Sequence, residues 1–243
     1  MEKLSTKLIL FDLDNTLFDH YHSLRCAISA IQQQYPGLED ISLQKLIDHY
    51  NDSLQNAYDR YLQKLITYED KDNEKVKLFF ESLELPEPTP EDANAFRAIY
   101  QPVYRSSRRA IPGSIETLAR LREHGFSTAI LTNGQIEDQT AKAKAIGIHH
   151  LVDRIITSEE AGHPKPDSRI FRYAVGQLGG VLDNTYMVGD SPESDIQGAF
   201  NAHLTPVLYA PMSQETSRAI NGQEVPVITH MSQLLGHLDI DSH

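Results

Sequence analysis

Lys7-Leu8-Ile9-Leu10-Phe11-Asp12-Leu13-Asp14-Asn15-Thr16 is the stretch on which the fold turns. Its uninterrupted apolar run reads as a strand covered on both faces, and such strands belong to parallel sheets. The run ends in two acids at positions i and i+2, which point to the same side of an extended chain. Carboxylates at the end of a buried strand are costly unless a cation or a chemical task occupies them. Asp and Asn also fill ordinary loops after strands, so the segments downstream decide between the two readings.

From Gly113 onward, helices and short apolar strands alternate. A helix from Ser114 to about His124 carries Ile115, Leu118 and Leu121 on one face and closes at Gly125. Ser127–Leu131 reads as a strand, and after Thr132-Asn133-Gly134 a helix runs to about Ile146. Arg154–Thr157 is a third strand, and Asp167 caps a helix that runs to about Leu178. Thr185–Val188 forms another strand, followed by a helix from Pro192 to about Asn201 and a strand near Pro206–Tyr209. The pattern predicts an α/β fold, a doubly wound parallel sheet with helices on both faces.

The first strand breaks this rhythm, because the chain from Asp14 to Ser127 far exceeds the ~30 residues of a βαβ unit. The excess is helical in pattern. Leu24, Ala27, Ile28 and Ile31 mark one amphipathic helix, and a long second one carries Leu46, Ile47, Tyr50, Leu54, Ala57, Tyr58, Tyr61, Leu62 and Leu65. Val76, Phe79, Phe80 and Leu83 mark a third, and Phe96, Ile99, Tyr100 and Val103 a fourth. The expected organisation is a core domain of residues 1–18 and 110–243 with an inserted four-helix cap at 19–109 that covers the paired acids. Beyond Pro211 the pattern is weak.

A net charge of −12 over 243 residues argues against binding nucleic acid or an anionic membrane surface. Apolar runs all stop short of the roughly 20 residues of a membrane span. Cys26, the single cysteine, excludes an intramolecular disulfide and is expected in helix packing. With a strand beginning at residue 7 and no leader-like run, a soluble cytoplasmic protein is expected. His149-His150 reads as a loop pair lacking a third metal ligand.

Each chemically suggestive segment follows a predicted strand, and those carboxyl ends form one edge of a parallel sheet. Asp12, Asp14, Thr132, Asn133, Lys165, Asp190 and Asp195 would gather there. Crowded carboxylates without His or Cys partners favour a hard divalent cation, Mg²⁺ above others. Thr132 and the N–H groups around Asn133 and Gly134, at a helix start, suit phosphate oxygens. Lys165, between Pro164 and Pro166, would aim its ammonium from a stiffened loop. Ser191 as cap and Pro192 as first helical residue would hold Asp190 at a strand tip, with Asp195 a turn further on. Each segment alone has a plainer reading: a turn, a solvated lysine, a capped helix.

Taken together and in order, Asp12-x-Asp14-x-Thr16, Thr132-Asn133-Gly134, Lys165-Pro166-Asp167 and Gly189-Asp190-x-x-x-x-Asp195 resemble the four motifs of the haloacid dehalogenase superfamily. The helical insertion lies where that family's C1-type cap belongs. The resemblance implies a phosphatase in which Asp12 attacks phosphorus to form an aspartyl-phosphate and Asp14 serves as general acid and base. It implies that Asp12, the backbone carbonyl of Asp14, and Asp190 hold Mg²⁺, while Thr132 and Lys165 neutralise the phosphoryl group. Asp195 would orient Lys165 or water on the ion.

The implied substrate is a small phosphate ester, a nucleoside monophosphate or sugar phosphate, in the style of pyrimidine 5′-nucleotidases and N-acylneuraminate-9-phosphatases. Arg25, His49, Tyr50, Tyr58 and Arg60 are candidates for its non-phosphate part. Dehalogenases of the superfamily lack an acid two residues after the nucleophile, whereas Asp14 is present here. A phosphosugar mutase keeps the same motifs and stays open. A receiver-like module storing an aspartyl-phosphate is the alternative from another class.

Overall fold

The computed structural model describes residues 7–35, 37–68 and 70–240. They fall into two compact units, one made of the residues up to His20 with those from Arg109 onward, the other Tyr21–Arg108. The order is β1 (Leu8–Phe11), α1 (His20–Gln34), α2 (Leu43–Leu62), α3 (Lys71–Ser82), α4 (Pro90–Ser106), α5 (Ser114–Glu123), β2 (Ser127–Thr132) and α6 (Ile136–Ala145). Then come β3 (Arg154–Thr157), α7 (Ser158–Ala161), α8 (Ser168–Gln177), β4 (Thr185–Gly189), α9 (Gln197–Ala202), β5 (Thr205–Tyr209), β6 (Ser217–Ile220), β7 (Gln223–Ile228) and α10 (Gln233–His237).

The first unit is a seven-stranded sheet in the order β3-β2-β1-β4-β5-β7-β6. Only the β6–β7 pair is antiparallel. β1 lies in the interior, with Leu8 opposite both Ser127 of β2 and Thr185 of β4. Leu8 and Leu10 pack with Ala129, Leu131 and Met187 against Phe171 of α8 and Ala199 of α9. Ile9 and Phe11 are equally buried and, by strand alternation, serve the opposite face. Two covered faces explain the unbroken apolar run, each side chain contributing roughly 1.5–3 kcal/mol by burial.

The chain moves outward from β1 through β2 to β3, then returns to β1's other side as β4. Strand order therefore reverses between β1 and β4, the place where ligands bind in open α/β sheets. Asp12 follows β1 directly and its N–H donates to Val188 O at 2.9 Å, extending the pairing to β4. The two passages bounding the insertion run side by side in this unit. Asp19 N–H donates to Arg109 O at 3.0 Å, Ile111 N–H donates to Leu17 O at 2.8 Å, and Arg109 pairs with the Asp19 carboxylate at 2.7 Å.

The weakly patterned C-terminal stretch contains a hairpin, β6–β7, that extends the sheet. Its turn is Asn221-Gly222, both at positive φ (50° and 77°), a pairing that favours two-residue hairpin turns. Another difference concerns the helix expected from Pro192, which opens with a wide π turn over Pro192–Ile196 before α9 begins.

The second unit consists, among the described residues, of α1–α4 around an aromatic interior. Leu24, Ala27, Ile28 and Ile31 of α1 meet Leu46, Ile47 and Tyr50 of α2, Val76 and Phe79 of α3, and Phe96 and Tyr100 of α4. Tyr50 stacks on Phe96 with centroids 5.7 Å apart and lies 4.9 Å from Tyr100. Tyr50 is therefore a core residue, not the substrate contact considered from sequence. Arg60 is likewise occupied, by Glu74 of α3. The stripe expected through Leu65 ends early. Lys64 adopts φ 60° just past α2 and turns the chain, leaving Leu65 63% exposed. Thr89 opens α4 with a capping box, its hydroxyl accepting from Asp92 N–H at 3.2 Å and its own N–H donating to the Asp92 carboxylate at 3.0 Å. Cys26 is half-buried, its Sγ 3.7 Å from His22 Nε2.

Candidate active site

Four of the side chains singled out above meet at the sheet's carboxyl edge. Lys165 Nζ donates to Asp12 Oδ1 at 2.6 Å and to Asp195 Oδ1 at 2.7 Å, and all three residues are buried. Asp190 completes the group: Asp12, Asp190 and Asp195 each offer a carboxylate oxygen within 4.8 Å of the others. The wide turn brings Asp195 inward. Ser191 Oγ accepts from Ser194 N–H at 3.0 Å, and Ser191 N–H donates to Asp195 Oδ2 at 3.1 Å. Gly189 is required beside it, because a Cβ there would stand 2.2 Å from Asp195 Oδ2.

Asn133 engages Lys165 through its side chain. Its Oδ1 accepts from Lys165 N–H at 2.8 Å and its Nδ2 donates to Lys165 O at 3.1 Å, so it clamps the backbone from which the ammonium reaches. Of the N–H groups around Asn133 and Gly134 expected to suit phosphate, that of Gly134 is already engaged. Gly134 N–H donates to Ser158 Oγ and Ile136 N–H to Glu159 Oε2, both at 2.9 Å, so α7 takes up the start of α6. Thr132 is buried as the last residue of β2, paired with Thr157 of β3.

Asp14 stands apart from the acidic group. Lys142 Nζ of α6 donates to both its oxygens, at 2.6 and 2.8 Å. The loop that carries Asp14 is tight: Asn15 takes φ 63°, and Leu13 O accepts from the N–H groups of Leu17 and Phe18 at 3.0 and 2.8 Å. Thr16 Oγ1 donates to Asp190 Oδ1 at 3.4 Å, a long contact. Neither Lys142 nor the neighbouring His20 was legible from sequence. Lys142 carries only a faint signal, a lysine next to the buried stripe Gln139, Ala143 and Ile146.

A family model described as haloacid dehalogenase-like hydrolase matches residues 6–203. The chain belongs to the haloacid dehalogenase-like hydrolases. It is 31% identical over 235 residues to a ribulose-1,5-bisphosphate 5-phosphatase of Halopiger xanaduensis, covering 95% of this chain and 96% of that one. A glyceraldehyde 3-phosphate phosphatase of Methanothermobacter thermautotrophicus is 28% identical over 231 residues, covering 94% and 97%. Among solved structures, the Bacillus subtilis hydrolase YfnB bound to magnesium superposes with a TM-score of 0.77 at 20% identity, over 97% of this chain and 100% of that one, a likeness of fold.

The electrostatics of this haloacid dehalogenase-like hydrolase follow from three buried carboxylates facing one ammonium. Burial is the largest influence on Asp12, and with Asp195 and Asp190 nearby it pushes the carboxyl up against the pull of Lys165. Burial and then Asp195 push Asp190 up to about 7. Burial opposes charge on Lys165 too, yet Asp12 and Asp195 outweigh it and hold the ammonium above the ordinary lysine range. An all-oxygen donor set with more negative than positive charge fits a hard divalent cation. Asp14 differs. Burial would raise it, but Lys142 foremost and then His20 bring it below the usual carboxylate range. His20, buried beside the pair, is pushed down to about 4 chiefly by burial and is neutral at pH 7. Among the described residues no helix is long and apolar enough to cross a membrane.

Proposed function

We propose that this hydrolase is a Mg²⁺-dependent phosphomonoesterase acting on a small phosphorylated metabolite through an aspartyl-phosphate on Asp12. The observation that carries the reading is the meeting of Asp12 and Lys165, 153 residues apart in sequence, at 2.6 Å on the edge where strand order reverses. Asp12 Oδ attacks phosphorus, the ester P–O bond breaks, and Asp14, carrying the proton that the hydrolysis step returns to it, protonates the departing oxygen. Water then adds to the same phosphorus while Asp14 takes its proton, releasing phosphate and restoring Asp12. Lys165 and Thr132 offset charge on the phosphoryl oxygens, and Asn133 and Asp195 hold Lys165 in place. Bound Mg²⁺ would be held by Asp12, Asp190 and the backbone carbonyl of Asp14, and would supply further neutralisation of phosphoryl charge.

The two relatives described above are named for phosphatases of sugar-type phosphates, which supports a small phosphorylated metabolite of that kind as substrate. Selectivity among esters is assigned to the insertion, residues 19–109. The single cysteine, Cys26, suits a reducing cytoplasm. The test is hydrolysis of 4-nitrophenyl phosphate and of a panel of sugar phosphates and nucleoside monophosphates, with and without EDTA. Turnover should vanish with chelator, return with Mg²⁺, and fall by about 10⁴-fold or more in Asp12→Asn. Near-native turnover in Asp12→Asn would overturn the mechanism. Isomerised sugar phosphate as the product would favour the mutase, and a stable phosphoprotein without turnover the receiver-like module.

A further inference from the structure

Lys142 is absent from the four motifs quoted above, yet it contacts the Asp14 carboxylate directly. Its ammonium reaches both carboxylate oxygens, at 2.6 and 2.8 Å, across 128 residues of sequence. Its side chain is 14% exposed, and Nζ lies 5.5 Å from the ring centroid of the buried Phe18. Two donors of one ammonium on two oxygens of one carboxylate define the rotation of that group. Lys165, the other ammonium at this edge, donates to Asp12 and Asp195. The two lysines thus divide the acids, Lys165 serving the crowded group and Lys142 serving Asp14.

We propose that Lys142 is a positioning residue that holds Asp14 outside the Asp12–Asp190–Asp195 group, so that its carboxylate stays available for proton transfer. The physical need follows from spacing. Asp14 is two residues from Asp12, and in the absence of Lys142 its carboxylate is free to turn toward any cation shared by the acidic group. A carboxylate turned into that group is aimed away from the leaving oxygen and the attacking water. This proposal rests on the reading of Asp14 as the acid and base.

The experiment compares Lys142→Met, Lys142→Gln, Lys142→Arg, Asp14→Asn and the Lys142→Met/Asp14→Asn double variant, using 4-nitrophenyl phosphate and the best alkyl ester of the panel. A good leaving group needs little protonation, whereas an alkoxide needs a great deal. Lys142→Met should lower kcat/KM on the alkyl ester by about 10–100-fold with a much smaller loss on the aryl ester. KM should change little, and Lys142→Arg should recover most of the loss. Added to Asp14→Asn, Lys142→Met should cost almost nothing more. Lys142→Gln, which removes the charge but keeps a polar end, is read in the same way if the methionine variant does not fold. Equal losses on both esters, or losses that multiply in the double variant, overturn the proposal. If Asp14→Asn itself shows no dependence on the leaving group, the acid–base reading of Asp14 fails instead.

Discussion

The sheet's carboxyl edge and the interior of the helical unit are built from opposite materials. At the sheet edge Asp12, Lys165 and Asp195 are 7%, 5% and 1% exposed, while the helical unit buries Tyr50, Phe79 and Phe96 completely. An aromatic interior is stabilised by apolar contact and ring geometry, and any well-shaped hydrophobic set can replace it. Buried charges are stable only as a set, because each loses its solvation and relies on the others. The charged region should therefore respond to substitution in activity and stability together, and the aromatic region in stability alone.

Lys165→Met is the strongest way to test that contrast. It leaves Asp12 and Asp195 buried without their shared ammonium, and should cost about 3–5 kcal/mol of stability. Turnover should fall by about 10²–10³-fold, the scale seen when a donor to developing charge is removed. Urea unfolding and steady-state kinetics on one preparation measure both. A variant of unchanged stability would mean that the carboxylates find solvent or a cation without the lysine, and the contrast would weaken.

Phe96→Ala is the matching probe in the helical unit. Phe96 contacts Tyr35, Tyr50, Phe79, Phe80 and Tyr100, with ring centroids 5.7–6.3 Å away. Its loss should cost about 3–5 kcal/mol. Turnover per folded molecule, with the folded fraction measured by circular dichroism, should stay near that of the unsubstituted enzyme. A fall comparable to that of Lys165→Met would show the aromatic interior shaping the chemistry as well.

Gly189→Ala sharpens the comparison within the charged region. The added Cβ would stand 2.2 Å from Asp195 Oδ2, so Asp195 must move away from Ser191 and Lys165. Overpacking of this kind costs about 1–3 kcal/mol. Because Asp195 shares Lys165 with Asp12, activity should drop more than stability does. Kinetics unchanged beside a lowered midpoint of thermal unfolding would indicate that Asp195 packs without positioning Lys165.

What the sequence made legible is what short-range pattern encodes. Leu8–Phe11 and the helical stripes in Tyr21–Arg108 announce themselves by periodicity, and each acid or lysine placed after a strand needed only topology to bring it to one edge. Contacts that depend on how a helix is rotated against a distant loop were hidden. Lys142 reaches Asp14 because α6 presents that one position toward the loop after β1, and nothing local in Thr140-Ala141-Lys142-Ala143 states this. The side-chain clamp of Asn133 on Lys165 was hidden for the same reason. The hairpin was a different kind of miss. Asn221-Gly222 is a turn signal, but the flanking Ser217–Ile220 is short and largely solvent-facing, so its apolar alternation is faint.

That hairpin provides the smallest expected effect and a control for all the others. Gly222 sits at φ 77°, and a Cβ built there would meet nothing within 4 Å. The cost of Gly222→Ala is then conformational alone, about 1 kcal/mol, with no clash to propagate. Turnover should be unchanged, because β6 and β7 lie at the far edge of the sheet, with β5 and β4 between them and β1. A lower unfolding midpoint with normal kinetics would confine coupling between stability and chemistry to the buried charges. Reduced turnover would carry that coupling across the sheet, and the losses in Lys165→Met and Gly189→Ala could no longer be assigned to the side chains they touch.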